Sequence, residues 1–423
     1  MSNYNSYPAL LGIGTAVPEH RVDQQEAAER IAAFLEHSPS SARWAKRIFR
    51  QVAVDSRYTC EASLAESGPS RYLPNSLNEQ APSTSERMKS YQEHSVPLAA
   101  NAAREALHDS GTAKEDITHL MAVSCTGMFL PGLDVALIRG LGLPSDIKRL
   151  PLTFMGCAAG VTAMRTAADL VKADPNAKVL IVCVELCTLH VQPSGEKEAL
   201  FGAAFFGDGA SACVIGRAAK RDKGLFHLGN GRTALFPAGG KDMVWTLADF
   251  GFDLYLSPAI PELIGKYLPD ELDLLLQRKQ GESHAYSDVK RAEASEGEQS
   301  PLRELELWAI HPGGKGIIDG LQSIYKLEDR QTAPSREVLR RYGNMSSATI
   351  LFVLQRMLKQ IQAEEEESSE LRSRSGIAIG FGPGLHAELL ELTYLPSAGS
   401  SGSAGSPRAA NQEADGGMHY VKI

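Results

Sequence analysis

The sequence predicts an α/β fold, and two observations carry that prediction. Short β-rich apolar runs alternate with longer segments of helical period. In addition, two pairs of turn motifs recur at one common offset, as they would in a duplicated unit. The runs HLMAVSC, AKVLIVCVEL, ASACVIG, ELWAI and SGIAIGF read as strands of a buried, largely parallel sheet. ERMKSYQEHSVPLAANAAREALHDSG reads as a helix ending on a glycine stop, Gly111. In CAAGVTAMRTAADLVKAD, Val161, Met164, Ala168 and Val171 recur at helical spacing.

The duplication comes from comparing the halves. MAVSCTGMFLPGLDVALIRGLGL and WAIHPGGKGIIDGLQSIYKL share an apolar strand, a Gly/Pro-rich turn and a helix. FMGCAAGVTAM and RYGNMSSATIL each place a turn before a helix. Ser124 to His311 and Cys157 to Asn344 are both 187 residues apart. The expected division is 1–220 and 221–395. Residues 277–302, polar and charged, read as an exposed insertion, and 396–423 as a low-complexity, disordered tail. The acidic run 364–367 reads as a solvated helix end.

At 423 residues the chain has room for two domains, and 43% hydrophobic with 22% charged residues is an ordinary globular composition. A net charge of −8 argues against nucleic acid as the main partner. No apolar run reaches the length of a membrane span. The opening MSNYNSYPALLGIGTAVP lacks the basic segment and apolar core of a secretory signal. The cysteines at 60, 125, 157, 183, 187 and 213 form neither a CxxC pair nor a Cys/His metal spacing. They fit free thiols in a reducing cytosol, so a cytoplasmic protein without a metal site is expected. Cys183 and Cys213, inside strand runs, read as buried small hydrophobes.

Ligands of open α/β sheets bind beyond the carboxyl ends of the strands. There the sequence places Cys125 and Thr126, Cys157, Glu185, His311 and the turn GFGPGL. Cys157, His311 and Asn344 hold matching positions of the repeat, which promotes Cys157 over the other five cysteines. A thiolate is the nucleophilic form, and a helix N-terminus with a nearby imidazolium lowers a thiol from about 8.5 toward neutrality. Gly156 and Gly160 leave the backbone open to a substrate. Asn344 and His311 are able to donate N–H groups to an oxygen that becomes negative in a transition state. Each has a plainer reading: a structural histidine, an asparagine N-cap, a simple strand-to-strand turn. A nucleotide-binding glycine loop is disfavoured at GFGPGL, because no phosphate-ready helix follows it and no acidic ribose partner is evident.

As a set, GCAAG around Cys157, FFGDGASA around Phe206, HPGG at His311, YGNMSSAT at Asn344 and GFGPGL at 380–385 resemble the type III polyketide synthases of the thiolase superfamily, in their order and spacing. The resemblance runs from about residue 8 to 395. It implies a thiolase-like fold in which the duplicated unit gives a layered αβαβα architecture, and it implies CoA thioesters as substrates with no further cofactor. Cys157 would take a starter acyl group from acyl-CoA and be held as thiolate by His311. His311 with Asn344 would bind the malonyl-CoA carbonyl during decarboxylation, and the repeatedly extended chain would cyclise to a resorcinol, pyrone or related aromatic polyketide. Phe206 and Phe252 match gatekeepers between CoA tunnel and cavity. Gly380, Phe381, Gly382, Pro383 and Gly384 would form a cavity wall, and Thr126, Cys187, His190 and Ser346 would contact substrate. Lys46, Arg47, Arg50 and Gly314 would meet CoA. Leu130 matches a side chain that crosses a dimer interface, so a homodimer is expected.

Cys187 and His190 stand where plant members carry small or hydroxyl residues. That points away from a chalcone-type product and toward a bacterial-style enzyme making alkylresorcinols or alkylpyrones from a fatty acyl starter. His190 reads equally well as a packed, satisfied histidine. The competing expectations are a single-round condensing enzyme fed by acyl carrier protein, and a non-catalytic thiolase-fold acyl-binding or partner subunit.

Overall fold

The computed structural model describes residues 7–66, 68, 70–73, 80–192, 194–218, 224–277, 305–368 and 371–396. The expected insertion at 277–302 and tail at 396–423 lie, beyond their first positions, outside the described residues. The chain opens with β1 (Pro8–Ala16), β2 (His20–Asp23), α1 (Gln24–Phe34), α2 (Pro39–Gln51), β3 (Ser56–Thr59), α3 (Ala62–Ala65) and α4 (Thr84–Ser110). Then come β4 (His119–Ser124), α5 (Leu133–Leu141), β5 (Lys148–Arg149), β6 (Leu152–Thr153), α6 (Ala159–Ala173), β7 (Val179–Leu186), α7 (Lys197–Phe205) and β8 (Asp208–Arg217). The rest comprises β9 (Leu225–Leu235), β10 (Met243–Ala248), β11 (Gly251–Leu256), α8 (Ile260–Gln277), β12 (Leu307–Ile310), α9 (Lys315–Tyr325), α10 (Asp329–Tyr342), α11 (Thr349–Ser368), β13 (Arg374–Gly382) and β14 (His386–Leu395).

The main sheet has the order β12-β13-β14-β9-β1-β8-β7-β4-β5, with β6 also on β4. Apart from β5 and β6 at one edge, that order is a palindrome. From the antiparallel β1–β9 pair at the centre, each arm runs antiparallel, antiparallel, then parallel: β1–β8, β8–β7, β7–β4 on one side and β9–β14, β14–β13, β13–β12 on the other. The common offset of the turn motifs is therefore a structural pseudo-two-fold in which β4 answers β12 and α6 answers α11. The largely parallel sheet expected from the sequence is instead mixed. A strand buried on both faces gives the same continuous apolar run whichever way its neighbour points, so direction was not encoded in the runs.

Side chains of β7 alternate between two cores: Val179, Ile181 and Cys183 face one, Leu180, Val182 and Val184 the other. The first core is the central layer, where α6 and α11 lie between the two arms and bury Val161, Met164, Ala168, Val171, Leu351 and Leu354. Outer helices α4 and α5 cover one arm through Ala99, Ala103 and Leu137. Outer helices α8 and α9 cover the other through Leu268, Leu272 and Ile318. Helix, sheet, helix, sheet, helix is the αβαβα stacking. Gly111 ends α4 in the left-handed conformation, and Ser83 with Glu86 forms a capping box at its start. Residues 364–367 do end α11, but Glu364 pairs with Arg374 and Glu365 accepts from Tyr394.

Candidate active site

The central helices start at one end of the layer, each through a 3-10 turn: Gly156–Ala158 before α6 and Ser346–Ala348 before α11. The turns pack back to back. A Cβ on Gly160 would stand 2.5 Å from the Ser347 carbonyl oxygen, so the approach requires glycine. Gly156 has φ +67°, and a Cβ there would overlap Pro383 Cδ. The GFGPGL stretch is thus both the turn joining β13 to β14 and the wall against which the Cys157 turn rests. Gly380 lies less close, its Cβ position 3.1 Å from Ala158 Cα.

His311 follows β12, its backbone N–H donating to the Ile379 carbonyl (2.8 Å). The ring is fully buried, and neither Nδ1 nor Nε2 has a hydrogen-bond partner. Gly314 then opens α9 with φ +135° beside Phe205. Asn344 is fixed by its backbone to the segment carrying Phe206: its N–H donates to Phe205 O (3.0 Å) and its carbonyl accepts from Gly207 N–H (3.1 Å). Its side-chain Oδ1 accepts from Ser346 N–H (2.7 Å), which leaves Nδ2 facing Cys157 Sγ at 3.7 Å.

Cys157, His311, Asn344, Phe206, Phe381 and Pro383 line one narrow cavity of about 20 Å³, closed by Met243, Trp245, Leu254, Leu256 and Ile317. A larger chamber of about 310 Å³ adjoins it, lined by Cys187, Thr188, His190, Ala203, Phe252 and Gln192 among others. Phe206, Trp245 and Leu254 belong to both and form the wall between them.

Burial works against the expected thiolate–imidazolium pair. Burial pushes the Cys157 thiol up to about 11, against lowering by hydrogen bonds from Ser346 and Asn344. Burial likewise pushes His311 down to about 3. Desolvation is the leading cause at both groups and disfavours both charged forms, although Cys157 itself is only half-buried.

The remaining expected residues divide. Phe206 and Phe252 reach the chamber, as do Cys187 and His190. His190 is also a satisfied histidine: Nδ1 accepts from Phe252 N–H (3.1 Å), so Nε2 carries the proton and donates to Thr126 O (2.7 Å). Its ring stacks on Phe252 at 4.2 Å, and burial lowers it to about 4. Thr126 is turned to a different task, its hydroxyl donating to Glu185 (2.7 Å) and accepting from Leu186 N–H (3.0 Å). The Ser346 hydroxyl meets Cys125 Sγ at 3.1 Å. Lys46 pairs with Glu29 (2.6 Å), Arg47 lies over the exposed Trp44 ring, and Arg50 ends α2, whose other face buries Ala45 and Phe49. None of the three basic residues lines either cavity. Leu130 is 94% exposed.

Two features had no assigned role in the sequence reading. Glu185, wholly buried, accepts from Thr126, Ser347 and the Cys125 N–H and fixes the strand ends beneath the site. Trp245 lies on β10, outside every motif, and no local pattern marks it.

A duplicated αβαβα layer with cysteine and asparagine at the paired turns of its central helices, and a histidine after β12 beside them, defines a thiolase-like condensing enzyme. Residues 3–219 match the N-terminal domain of chalcone and stilbene synthases, and residues 230–396 match the C-terminal domain. The chain belongs to this family, the type III polyketide synthases, which are acyltransferases. Type III polyketide synthase A of Arabidopsis thaliana is 30% identical over 395 residues, covering 92% of this chain and 93% of that protein. A Dictyostelium discoideum protein named as a polyketide synthase is 31% identical over 389 residues; these are 92% of this chain but 11% of that relative's length. Among solved structures, PKS-I of the brown alga Ectocarpus siliculosus superposes with a TM-score of 0.80 at 28% identity, covering 93% of this chain and 100% of the other. The C-terminal type III domain of the Dictyostelium hybrid Steely1 gives 0.78 at 29%, covering 92% and 100%. Among the described residues, no helix is long and apolar enough to cross a membrane.

Proposed function

We propose that this polyketide synthase loads an acyl group from a CoA thioester onto Cys157 and extends it by repeated decarboxylative condensation with malonyl-CoA. The convergence of Cys157, His311 and Asn344 on one cavity, with both His311 nitrogens unpartnered, carries the reading. In loading, Sγ attacks the thioester carbonyl while its proton passes to His311 and on to the departing CoA sulfur. The malonyl thioester oxygen then accepts N–H groups from Asn344 Nδ2 and neutral His311. Loss of CO2 leaves its bonding pair as an enolate. The enolate carbon attacks the acyl carbonyl, the C–S bond to Cys157 breaks, and the lengthened chain leaves as a β-ketoacyl thioester. A buried donor aimed at the developing oxyanion is worth about 10²–10³ in rate, which explains how neutral groups suffice.

Under this reading residues 1–220 carry the nucleophile and 221–395 the two donors, and Lys46, Arg47, Arg50 and Gly314 serve CoA. The free cysteines suit the cytoplasm. Leu130, with the exposed Met128 two residues before it, supplies the apolar face of a homodimer; sedimentation should give twice the chain mass. Cys187 and His190 in the chamber favour an alkylresorcinol or alkylpyrone built on a fatty acyl starter. The test is mass spectrometry of products from a panel of acyl-CoA starters with malonyl-CoA. Polyketides that form without carrier protein, and vanish in a folded Cys157→Ala variant, support the reading. Products appearing only with acyl carrier protein, or persisting without Cys157, overturn it.

A further inference from the structure

Among the described residues that line these cavities, two polar groups are buried without a partner. One is His311, whose role is given above. The other is the indole N–H of Trp245. An indole offers a donor and no acceptor, and a buried donor without a partner is costly enough to require an explanation. Its ring neighbours cannot supply an acceptor. Phe206 (6.1 Å) and Phe252 (5.9 Å) have none. The third, His190 (6.1 Å), has Nδ1 occupied by Phe252 N–H and Nε2 donating to Thr126.

The position of Trp245 matters as much as its chemistry. With Phe206 and its cross-strand partner Leu254 it forms the wall between the Cys157 cavity and the chamber. A cavity of about 20 Å³ on the Cys157 side holds little beyond one water-sized group. Any acyl chain longer than a few atoms must therefore cross this wall into the chamber. A plain alkyl chain crossing there would leave the N–H unpartnered, whereas a poly-β-keto chain carries an acceptor oxygen on every second carbon.

We infer that Trp245 is a specificity-determining residue whose indole N–H donates to a keto oxygen of the chain on Cys157, and whose ring sets how far that chain extends into the chamber. The inference rests on the condensing reading above and names the chemical class of chain at this depth. Trp245→Phe keeps the ring and removes the donor, whereas Trp245→Ala opens the wall. With hexanoyl-CoA and malonyl-CoA, the comparison is made on Trp245→Phe enzyme whose Cys157 carries the hexanoyl group by intact-protein mass. Its products of two or more condensations should fall about tenfold relative to the single-condensation product, the effect of one lost hydrogen bond. Trp245→Ala should release longer chains. A Trp245→Phe product profile equal to wild type, or no lengthening in Trp245→Ala, overturns the inference. A second arm needs loading alone: the tryptophan emission lost in Trp245→Phe should shift when wild-type Cys157 carries acetoacetyl and stay still when it carries butyryl. Equal shifts overturn the donor role. An enzyme that loads yet never extends would sink the condensing reading and leave this comparison to decide Trp245.

Discussion

The Asn344 carboxamide is shared between a helix start and a nucleophile: Oδ1 accepts the Ser346 N–H at 2.7 Å, and Nδ2 faces Cys157 Sγ at 3.7 Å. The plain reading of the asparagine as a cap and the catalytic reading are thus one arrangement, in which the cap fixes which end of the amide points at the sulfur. Asn344→Asp keeps the capping oxygen, removes the donor and brings a carboxylate to Cys157. It should lower kcat/KM by about 10²–10³ while the thermal midpoint stays within a few degrees. Asn344→Ala should lose the same activity and about 1 kcal/mol of stability besides. A fully active aspartate variant would remove Asn344 from the chemistry.

Cys157 and His311 set the pH behaviour of the resting enzyme. A thiol pushed up to about 11 by burial is protonated at neutral pH, and an imidazole pushed down to about 3 cannot stabilise the anion by charge. Iodoacetamide inactivation should therefore climb with pH beyond the ~8.5 of a free thiol, without a plateau near neutrality. This reverses the expectation drawn from a helix start with a nearby imidazolium. A midpoint below that of a free thiol would mean that the ion pair forms in solution.

His190 and His311 link stability to acid. Both are depressed in the fold, to about 4 and about 3, so below the ordinary value the unfolded chain binds protons that the native state refuses. Their contribution is complete above about pH 6.5 and is lost as pH falls toward the folded values. Between pH 6.5 and 5 the loss is on the order of 2 kcal/mol per histidine. Urea midpoints should fall over that interval, and less steeply in His190→Gln. Parallel slopes for the two proteins would show that His190 is not held neutral.

Much of the site was legible because the duplication repeats it. Strand, turn and helix recur at one offset, so Cys157 and Asn344 had to begin matching helices, and His311 had to end the strand that answers β4. Strand direction was illegible for the reason β7 illustrates: residues buried alternately in two cores leave one unbroken apolar run. The ionisation of Cys157 was illegible as well. It depends on Met243, Leu256, Ile317 and Phe381, which reach the cavity from segments far apart in the chain. Trp245 carries no neighbouring pattern at all, and only the packing of Phe206 and Phe252 around it gives it meaning.

The contact of Gly156 with Pro383 ties the nucleophile to the far half of the sheet, and it makes two separable demands. At φ +67° a side chain is strained whatever the space, and a Cβ would also overlap Pro383 Cδ. Gly156→Ala should therefore displace the Cys157 turn and reduce loading sharply. Pro383→Ala alone leaves the turn free and should cost little loading. Combining them removes the overlap but not the left-handed backbone, whose residual penalty is about 1–2 kcal/mol. The double variant should thus recover part of the loading rate, with a coupling energy of at least 0.5 kcal/mol in a double-mutant cycle. Additive losses would mean that the turn is held by its own backbone conformation, and that the proline ring is not what seats Cys157 against β13.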